Sequence, residues 1–215
     1  MLFPFILILI TIFIIGGVIF AIVFFVWKSS QRRKEKIKLL GRRLGFQLVS
    51  SDSFWTSPKF RGHYNGKWDT EIMEFARSQG EGSVQTIKFV MVYTPKSTRF
   101  PKKSFWSRKS VLSVTEHIFF GSKVPHASSE YNKAFSTKGT LVRELVNPDF
   151  QHRMLELKKT AHCELHVYPP LSNKDGTIEF MTTRKFITDV HFAEKVLELM
   201  GSVAEKMEAL QLKTY

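Results

Sequence analysis

Residues 1–27 read MLFPFILILITIFIIGGVIFAIVFFVW, and this stretch decides the architecture of the chain because it contains no charged side chain. Of these 27 residues, 23 are apolar, and the exceptions are Pro4, Thr11, Gly16 and Gly17. A helix of this length is about 40 Å long, enough to cross a hydrocarbon core of about 30 Å. In lipid, a helix also satisfies its own backbone hydrogen bonds. The stretch therefore predicts a transmembrane helix.

The flanking residues favour a signal anchor that stays in the membrane over a signal peptide that is removed. A cleaved signal has basic residues before a shorter apolar run and small residues at the cleavage site. Here the basic residues follow the run, with eight Lys and Arg and one acid, Glu35, between residues 28 and 43. The predicted topology determinants are Lys28, Arg32, Arg33, Lys34, Lys36 and Lys38. By the positive-inside rule, the N-terminus is extracytoplasmic and the C-terminal domain lies on the cytoplasmic side of the cell membrane.

The positive charge of the chain is concentrated in two segments. The 215 residues contain 32 Lys and Arg and 19 Asp and Glu, a net charge of +13. The segment 28–43 contributes +7, and the segment 96–109, with six basic residues and no acid, contributes +6. The rest of the chain is therefore electrically balanced. Because membrane topology already explains the first segment, nucleic acid is not the expected partner.

The second basic segment interleaves aromatic residues with its charges, and three interpretations of it stay open. It is a solvated loop, a surface that contacts the anionic lipid headgroups of the bilayer, or a site for single-stranded nucleic acid. The nucleic-acid reading is the least favoured of the three. The candidate contact residues are Lys96, Arg99, Phe100, Lys102, Lys103, Phe105, Trp106, Arg108 and Lys109.

The remainder of the chain predicts an α+β domain. Residues 28–45 are expected to continue the helix as a basic stalk, residues 46–211 to form the domain, and residues 212–215 to be a tail. Runs of aromatic and β-branched residues predict strands at 46–49, 63–76, 86–93, 111–120, 163–168 and 177–186. Asn65-Gly66 is typical of a tight turn that would divide the second of these runs.

Two helices are predicted in the second half of the chain. Asn147-Pro148-Asp149 provides a cap, a proline at the first helical position and an acid in the first turn of a helix over 148–159. A second helix, capped by Thr188 or Asp189, has apolar residues at three- and four-residue spacing. The predicted fold is a transmembrane helix followed by an antiparallel sheet packed by two helices, in the order βββ(β)-α-ββ-α.

The densest set of candidate metal ligands is His162-Cys-Glu-Leu-His166. On a strand, His162, Glu164 and His166 project from one face, and Cys163 projects from the other, apolar face. This spacing matches no strong zinc motif, so the three residues are weak metal candidates, and neither a metal nor another cofactor is expected. Cys163 is expected to be an inert buried thiol.

The chain contains no Gly-x-Ser-x-Gly elbow, no phosphate-binding Gly-Lys-Ser/Thr loop and no Gly-x-Gly-x-x-Gly motif. No catalytic residue is therefore assigned, and the chain is not expected to be an enzyme. The leading hypothesis is a membrane-anchored interaction or scaffolding protein that has an unidentified protein partner, with Gly17-x-x-x-Ala21 available for self-association. The alternative is a membrane-tethered enzyme with a site in the sheet of the domain.

Three further stretches of sequence carry a resemblance. They are Arg42-Arg-Leu-Gly-Phe46, Phe60-Arg-Gly-His-Tyr-Asn-Gly66 and Glu130-Tyr-Asn-Lys-Ala-Phe135. In layout, the chain resembles a group of uncharacterised prokaryotic single-pass membrane proteins that have a cytoplasmic α+β domain. The resemblance implies this architecture and no activity, cofactor or functional residue.

Overall fold

A computed structural model describes most of the chain. The described residues are 2–49, 57–79, 82–94, 104–108, 123–138, 142–168, 175–183 and 189–209. The helices are α1 (Leu2–Leu44), α2 (Ser129–Ala134), α3 (Val142–Leu145), α4 (Pro148–Thr160) and α5 (Val190–Ala209). The strands are β1 (Gln47–Leu48), β2 (Lys59–Tyr64), β3 (Trp68–Gln79), β4 (Gly82–Tyr93), β5 (Ser104–Arg108), β6 (Phe135–Lys138), β7 (His162–Tyr168) and β8 (Gly176–Thr183).

α1 is one uninterrupted helix of 43 residues. Its apolar side chains from Phe13 to Trp27 are exposed, and within the described part of the chain it is the one helix long and apolar enough to cross a membrane. It ends before Gly45, whose φ of +69° closes the last turn, and the amide of Phe46 donates to the carbonyl of Gly41 over 2.8 Å. This is the αL-type ending that glycine favours, because glycine has no Cβ to clash there.

The eight strands form one antiparallel sheet in the order β1-β2-β3-β4-β8-β7-β5-β6. β2 and β3 are joined by the turn at Asn65 and Gly66, whose φ angles of 51° and 66° are those of a tight hairpin turn. The sequence prediction that Asn65-Gly66 divides a strand run is confirmed. β8 and β7 return to the middle of the sheet beside β4, so β5 and β6 lie outside them.

One face of the sheet holds the hydrophobic core. On β7 and β8 the buried side chains alternate with half-buried ones, and Leu165 and Phe180 are fully buried on this face. α4 packs against α5 and β7, and α5 packs against β4 and β8. The end of α1 joins the same core through Ile37 and Leu40, so the segment predicted as a stalk also covers part of the sheet.

Both predicted helix starts are confirmed in the second half of the chain. The side chain of Asn147 accepts a hydrogen bond from the amide of Phe150 over 2.9 Å, with Pro148 as the first residue of α4. The side chain of Asp189 accepts from the amide of Phe192 over 3.1 Å at the start of α5. The α+β class and the antiparallel sheet predicted from the sequence are therefore confirmed.

The order of elements differs from the predicted one in the middle of the chain. Ser104–Arg108 forms β5, although the sequence analysis placed these residues in a loop. β5 is followed by α2, β6 and α3, none of which was predicted. The strand predicted over 111–120 lies outside the described residues. β5 was not predicted because basic residues flank its short aromatic run on both sides, and this composition is typical of a solvated loop.

Candidate functional site

The candidate contact residues of the second basic segment fall into two groups. Phe105, Trp106 and Arg108 lie in β5, which pairs with β6 on one side and with β7 on the other. The others lie outside the described residues. They are Lys96, Arg99, Phe100, Lys102, Lys103 and Lys109. The segment is therefore not one continuous loop, since its aromatic pair belongs to a strand inside the sheet.

The described residues that border 95–103 are at one end of the sheet. Thr94 follows Tyr93, which pairs with Gly176 at the start of β8, and Ser104 pairs with Val167 near the end of β7. The side chain of Thr94 donates to the carboxylate of Asp175 over 2.9 Å, which ties the ends of β4 and β8 together. The basic residues between positions 95 and 103 are thus connected to this end on both sides.

The other end of the sheet lies next to the basic flank of α1. Arg33 donates to Oε2 of Glu74 over 3.1 Å, and Glu74 is on β3, where it pairs in register with Ile87 of β4. Further along α1, Gly41 lies against the ring of Phe60, which pairs with Ile72. From Gly41 back towards its apolar N-terminal end, α1 therefore runs in the same direction as β3 does from Ile72 towards Gln79.

The ion pair between Arg33 and Glu74 is asymmetric in its exposure to solvent. The side chain of Arg33 is 48% exposed, whereas that of Glu74 is 2% exposed and faces the core side of β3. Oε1 of Glu74 has no hydrogen-bond partner among the described atoms. A carboxylate buried in this way depends on its one cation, because desolvation disfavours a charge that has no partner.

Sequence reasoning did not single out Glu74, although a signal was present. On β3 the core-facing positions are Trp68, Thr70, Ile72 and Glu74, so the alternation of the strand places a carboxylate where an apolar side chain is expected. A charge at a core-facing position predicts a buried partner. The partner, Arg33, had been assigned only to membrane topology.

The basic flank of α1 has a second contact with the domain. Arg43 donates to Oε1 of Glu194 on α5 over 2.8 Å. Four of the other predicted topology determinants, Lys28, Arg32, Lys36 and Lys38, are exposed, and Lys34 is half-buried. Most of this charge therefore faces away from the domain.

The three weak metal candidates form a row on the face of β7 opposite to the core. Nε2 of His162 lies 3.2 Å from Oε1 of Glu164, and Nε2 of His166 lies 3.8 Å from Oε2 of the same carboxylate. On the neighbouring strands, Lys88 and Glu179 form an ion pair at 2.8 Å on this face. This half-buried row of imidazole and carboxylate groups, with the neighbouring ion pair of Lys88 and Glu179, stabilises the sheet through contacts within and between strands.

The two histidines are poorly placed to bind one metal ion together. They are four residues apart on an extended strand, about 13 Å along the backbone, and their rings approach each other only across the carboxylate of Glu164. Within the part of the chain that the structure describes, no group of three His, Cys, Asp or Glu side chains could hold a metal ion. Glu164 lies between the histidines and contacts each of them with a different oxygen atom.

Zinc binding by this row can be tested directly. We expect the full chain in detergent, stripped of metal and dialysed against zinc, to take up much less than about one zinc per chain, because the ligand spacing does not fit one tetrahedral ion. Metal content measured by atomic absorption checks this. The expectation would be contradicted if the chain bound one zinc and both His162→Ala and His166→Ala failed to bind it. If both variants still bound the zinc, the ion would be held at another site.

The buried thiol and phenol groups are not poised for nucleophilic chemistry. The thiol of Cys163 is buried and donates to the carbonyl of Ala161 over 3.5 Å. Burial raises the pKa of Tyr93 and of Tyr131 well above the ordinary value for tyrosine, so both remain protonated at neutral pH. The hydroxyl of Tyr93 donates to the carbonyl of Tyr168 over 3.1 Å. These groups have structural roles in the core.

Comparisons with known proteins found no matching family model, no similar curated protein and no similar solved structure. The function is therefore proposed from the residues and geometry of this chain.

Proposed function

We propose that this protein is a single-pass membrane-anchored interaction module whose domain is held at the cytoplasmic face of the cell membrane. The observation that carries the proposal is the continuity of α1. The helix that exposes only apolar side chains from Phe13 to Trp27 also buries Ile37 and Leu40 in the domain core. The apolar segment and the domain are thus joined by one continuous helix whose C-terminal part packs on the domain, without an irregular linker between them.

The orientation follows from the charge that comes after the apolar part of α1. Eight basic residues and one acid between positions 28 and 43 favour the cytoplasmic side for this flank. Trp27 precedes the first charged residue, Lys28, and an indole at this place is typical of a membrane interface. Arg33 then lies five residues further along the helix, about 8 Å beyond the interface.

This orientation points one end of the sheet into the cytoplasm. Ile87 is level with the Arg33–Glu74 pair in the register of the sheet, and Thr94 is seven residues further along, about 23 Å along the strand. Thr94 and Ser104 border the basic residues 95–103 at this end. The geometry therefore favours a partner in the cytoplasm over the headgroups of the bilayer that α1 crosses, which were one of the three interpretations left open by the sequence.

The chemistry of the segment favours an acidic protein surface as the partner. Lys96, Arg99, Lys102 and Lys103 lie in a stretch without any acid, so the charge is complementary to Asp- and Glu-rich surfaces. Binding of single-stranded nucleic acid relies on aromatic rings that stack on bases. Phe105 and Trp106 lie on β5, and strands of a sheet can present rings for such stacking, so the experiment below distinguishes a protein partner from nucleic acid.

The test uses the full chain in nanodiscs and a synthetic polyglutamate peptide as the probe. Changing Lys96, Arg99, Lys102 and Lys103 to Gln is expected to weaken binding about tenfold, since four exposed ion pairs of about 0.4 kcal/mol each sum to about 1.5 kcal/mol. Fluorescence anisotropy of the labelled peptide measures the affinity. A matched control changes four exposed lysines elsewhere, Lys38, Lys123, Lys133 and Lys195, to Gln, and is expected to leave the affinity within about twofold.

Three outcomes would overturn this assignment. Equal losses in the two variants would show that binding depends on total charge and not on the segment. A single-stranded oligonucleotide of the same charge that binds more tightly than the peptide would replace the protein partner by nucleic acid. A fluorophore on Ser97→Cys that is quenched by nitroxide-headgroup lipids as strongly as one on Ser29→Cys would place the segment on the bilayer.

A further inference from the structure

The basic flank of α1 is held to the domain by ion pairs with two different elements. Arg33 donates to Glu74 of β3 over 3.1 Å, and Arg43 donates to Glu194 of α5 over 2.8 Å. The two arginines are separated by about 15 Å along the helix. Because a strand and a second helix hold α1 at two levels, α1 can rock or turn relative to the domain only if these contacts break.

The helix surface between the two ion pairs is closely packed. Ile37 and Leu40 are buried in the core of the domain. Gly41 approaches the ring of Phe60 so closely that a Cβ at this position would lie 3.2 Å from Cε1 of the ring. Close-packed surfaces of this kind transmit a displacement, because their side chains have no free space in which to rearrange. From Arg33 onwards, α1 is therefore a rigid part of the domain.

α1 has no break between the packed part and the apolar part. The connecting residues are Lys28-Ser-Ser-Gln-Arg32, which contain neither glycine nor proline, and the helix is uninterrupted through them. Helix continues on both sides of this short piece, and extending an existing helix costs far less than starting a new one. The tilt of the apolar part is thus also the tilt of the domain.

The apolar part of α1 is longer than the hydrocarbon core of most bilayers. Residues 2–27 contain no charge and rise about 39 Å. A membrane helix that is too long tilts, kinks or thickens the bilayer around it, and tilting is the expected response of an uninterrupted helix. Between a hydrocarbon thickness of about 33 Å and one of about 27 Å, the range in cell membranes, the tilt that fits a helix of about 39 Å increases by about 14°.

The domain extends well beyond the membrane, so it acts as a lever. Arg33 is about 8 Å beyond Lys28, and Trp68 is about 20 Å from Glu74 along β3, in the direction away from the apolar part. The end of α5 is tied to this level, because Trp68 donates to Oε1 of Glu208 over 2.9 Å. With the strands roughly along α1, a point about 28 Å from the interface moves about 4 Å closer to the bilayer when the tilt increases by about 14°.

We propose that α1 and the domain tilt as one body, so that the hydrocarbon thickness of the bilayer sets the distance between the membrane and the end of the sheet that holds Trp68 and Thr94. This inference rests on the proposed membrane anchoring. The basic residues 95–103 are connected to that end of the sheet. Bilayer thickness therefore regulates how far into the cytoplasm these residues are presented to a partner.

The test measures energy transfer from a donor dye on a single introduced cysteine to acceptor dyes on lipid headgroups, with the full chain in nanodiscs. Cys163, the one native cysteine, is buried and does not compete for the dye. Glu205→Cys places the donor at an exposed position near the end of α5, and Ser29→Cys places it at an exposed position beside Lys28. We expect the transfer rate at Glu205→Cys to be at least about 1.5-fold higher at a hydrocarbon thickness of about 27 Å than at about 33 Å, and the rate at Ser29→Cys to change by less than about 1.2-fold.

Two insertions between Ser30 and Gln31 form a matched pair that tests the coupling. An insertion of seven Gly and Ser residues forms a flexible linker and is expected to abolish the dependence on thickness at Glu205→Cys. An insertion of seven Ala-rich residues of high helix propensity adds about two turns, which leaves the domain on nearly the same side of the helix. This second variant is expected to keep the dependence.

The outcomes separate the coupling from membrane anchoring. Equal transfer at Glu205→Cys in both bilayers, with strong transfer at Ser29→Cys, would overturn the coupling and leave anchoring in place. The excess length would then be absorbed within the apolar part, for example by a kink at Gly16-Gly17. An unchanged dependence in the flexible variant would also overturn the coupling, because the domain would not be responding through α1. Weak transfer at Ser29→Cys would overturn anchoring, and the coupling with it.

Discussion

Replacing Arg33 by methionine is expected to lower the free energy of unfolding of the full chain by about 3 kcal/mol, the lower end of the range for breaking a buried ion pair. The reason is the burial of Glu74, whose side chain is 2% exposed and whose described hydrogen-bond partner is Arg33. Methionine keeps much of the length of arginine and its helix propensity, so the loss reports on the charge. Chemical denaturation in detergent, followed by near-UV circular dichroism, measures the change.

Two controls separate this ion pair from general effects of charge on α1. Arg32→Met removes the neighbouring, exposed cation and is expected to change the free energy of unfolding by less than about 0.5 kcal/mol. The double variant Arg33→Met/Glu74→Met is expected to regain most of the lost stability, because it also removes the buried charge. If Arg33→Met were no worse than Arg32→Met, Glu74 would not depend on α1 for its partner.

The parts of the fold that could be predicted are those set by local sequence. Asn65-Gly66 specifies a hairpin turn by itself, because both residues tolerate positive φ. Asn147-Pro148 starts α4 through a cap and a proline that are neighbours in sequence. The apolar spacing of α5 reports which of its faces is buried. In each case, the interactions that decide the structure lie within a few residues.

The order of the strands could not be predicted, because it depends on contacts between distant residues. β4 pairs with β8, more than eighty residues away, and nothing in either strand encodes its partner. A crossover also places β5 outside β7, where local composition indicated a loop. The alternation of apolar and polar residues shows that one face of a strand is buried. It does not specify which strands pair with it.

The contact between α1 and the domain was only partly visible in the sequence. Ile37, Leu40 and Leu44 recur at three- and four-residue spacing, which is the pattern of a helix face that packs. The structure buries Ile37 and Leu40 and half-buries Leu44 on that face. Eight basic residues around them made the segment look like a solvated stalk. The three apolar side chains report on packing, and two of the basic residues, Arg33 and Arg43, form ion pairs with the domain.

Gly176→Val is expected to destabilise the full chain by about 3 kcal/mol, the upper part of the usual range for overpacking. A Cβ at Gly176 would lie 2.2 Å from Cζ and 2.5 Å from Oη of Tyr93, its register partner on β4. Tyr93 is buried, so its ring can move away only by giving up its burial and its hydrogen bond to Tyr168. Chemical denaturation of the variant in detergent measures the loss.

The sign of this change distinguishes the contact with Tyr93 from backbone preference. Valine is favoured in strands and glycine is disfavoured there, so backbone preference alone predicts that Gly176→Val stabilises the sheet. Thr177→Val, on the opposite face of β8, is the matched control and is expected to change stability by less than about 0.5 kcal/mol. Tyr93→Leu combined with Gly176→Val is expected to cost less than the sum of the two single changes, because leucine leaves room for the new side chain. Additive losses would mean that the ring of Tyr93 does not lie over Gly176, and the end of the sheet that holds Thr94 would then be arranged differently.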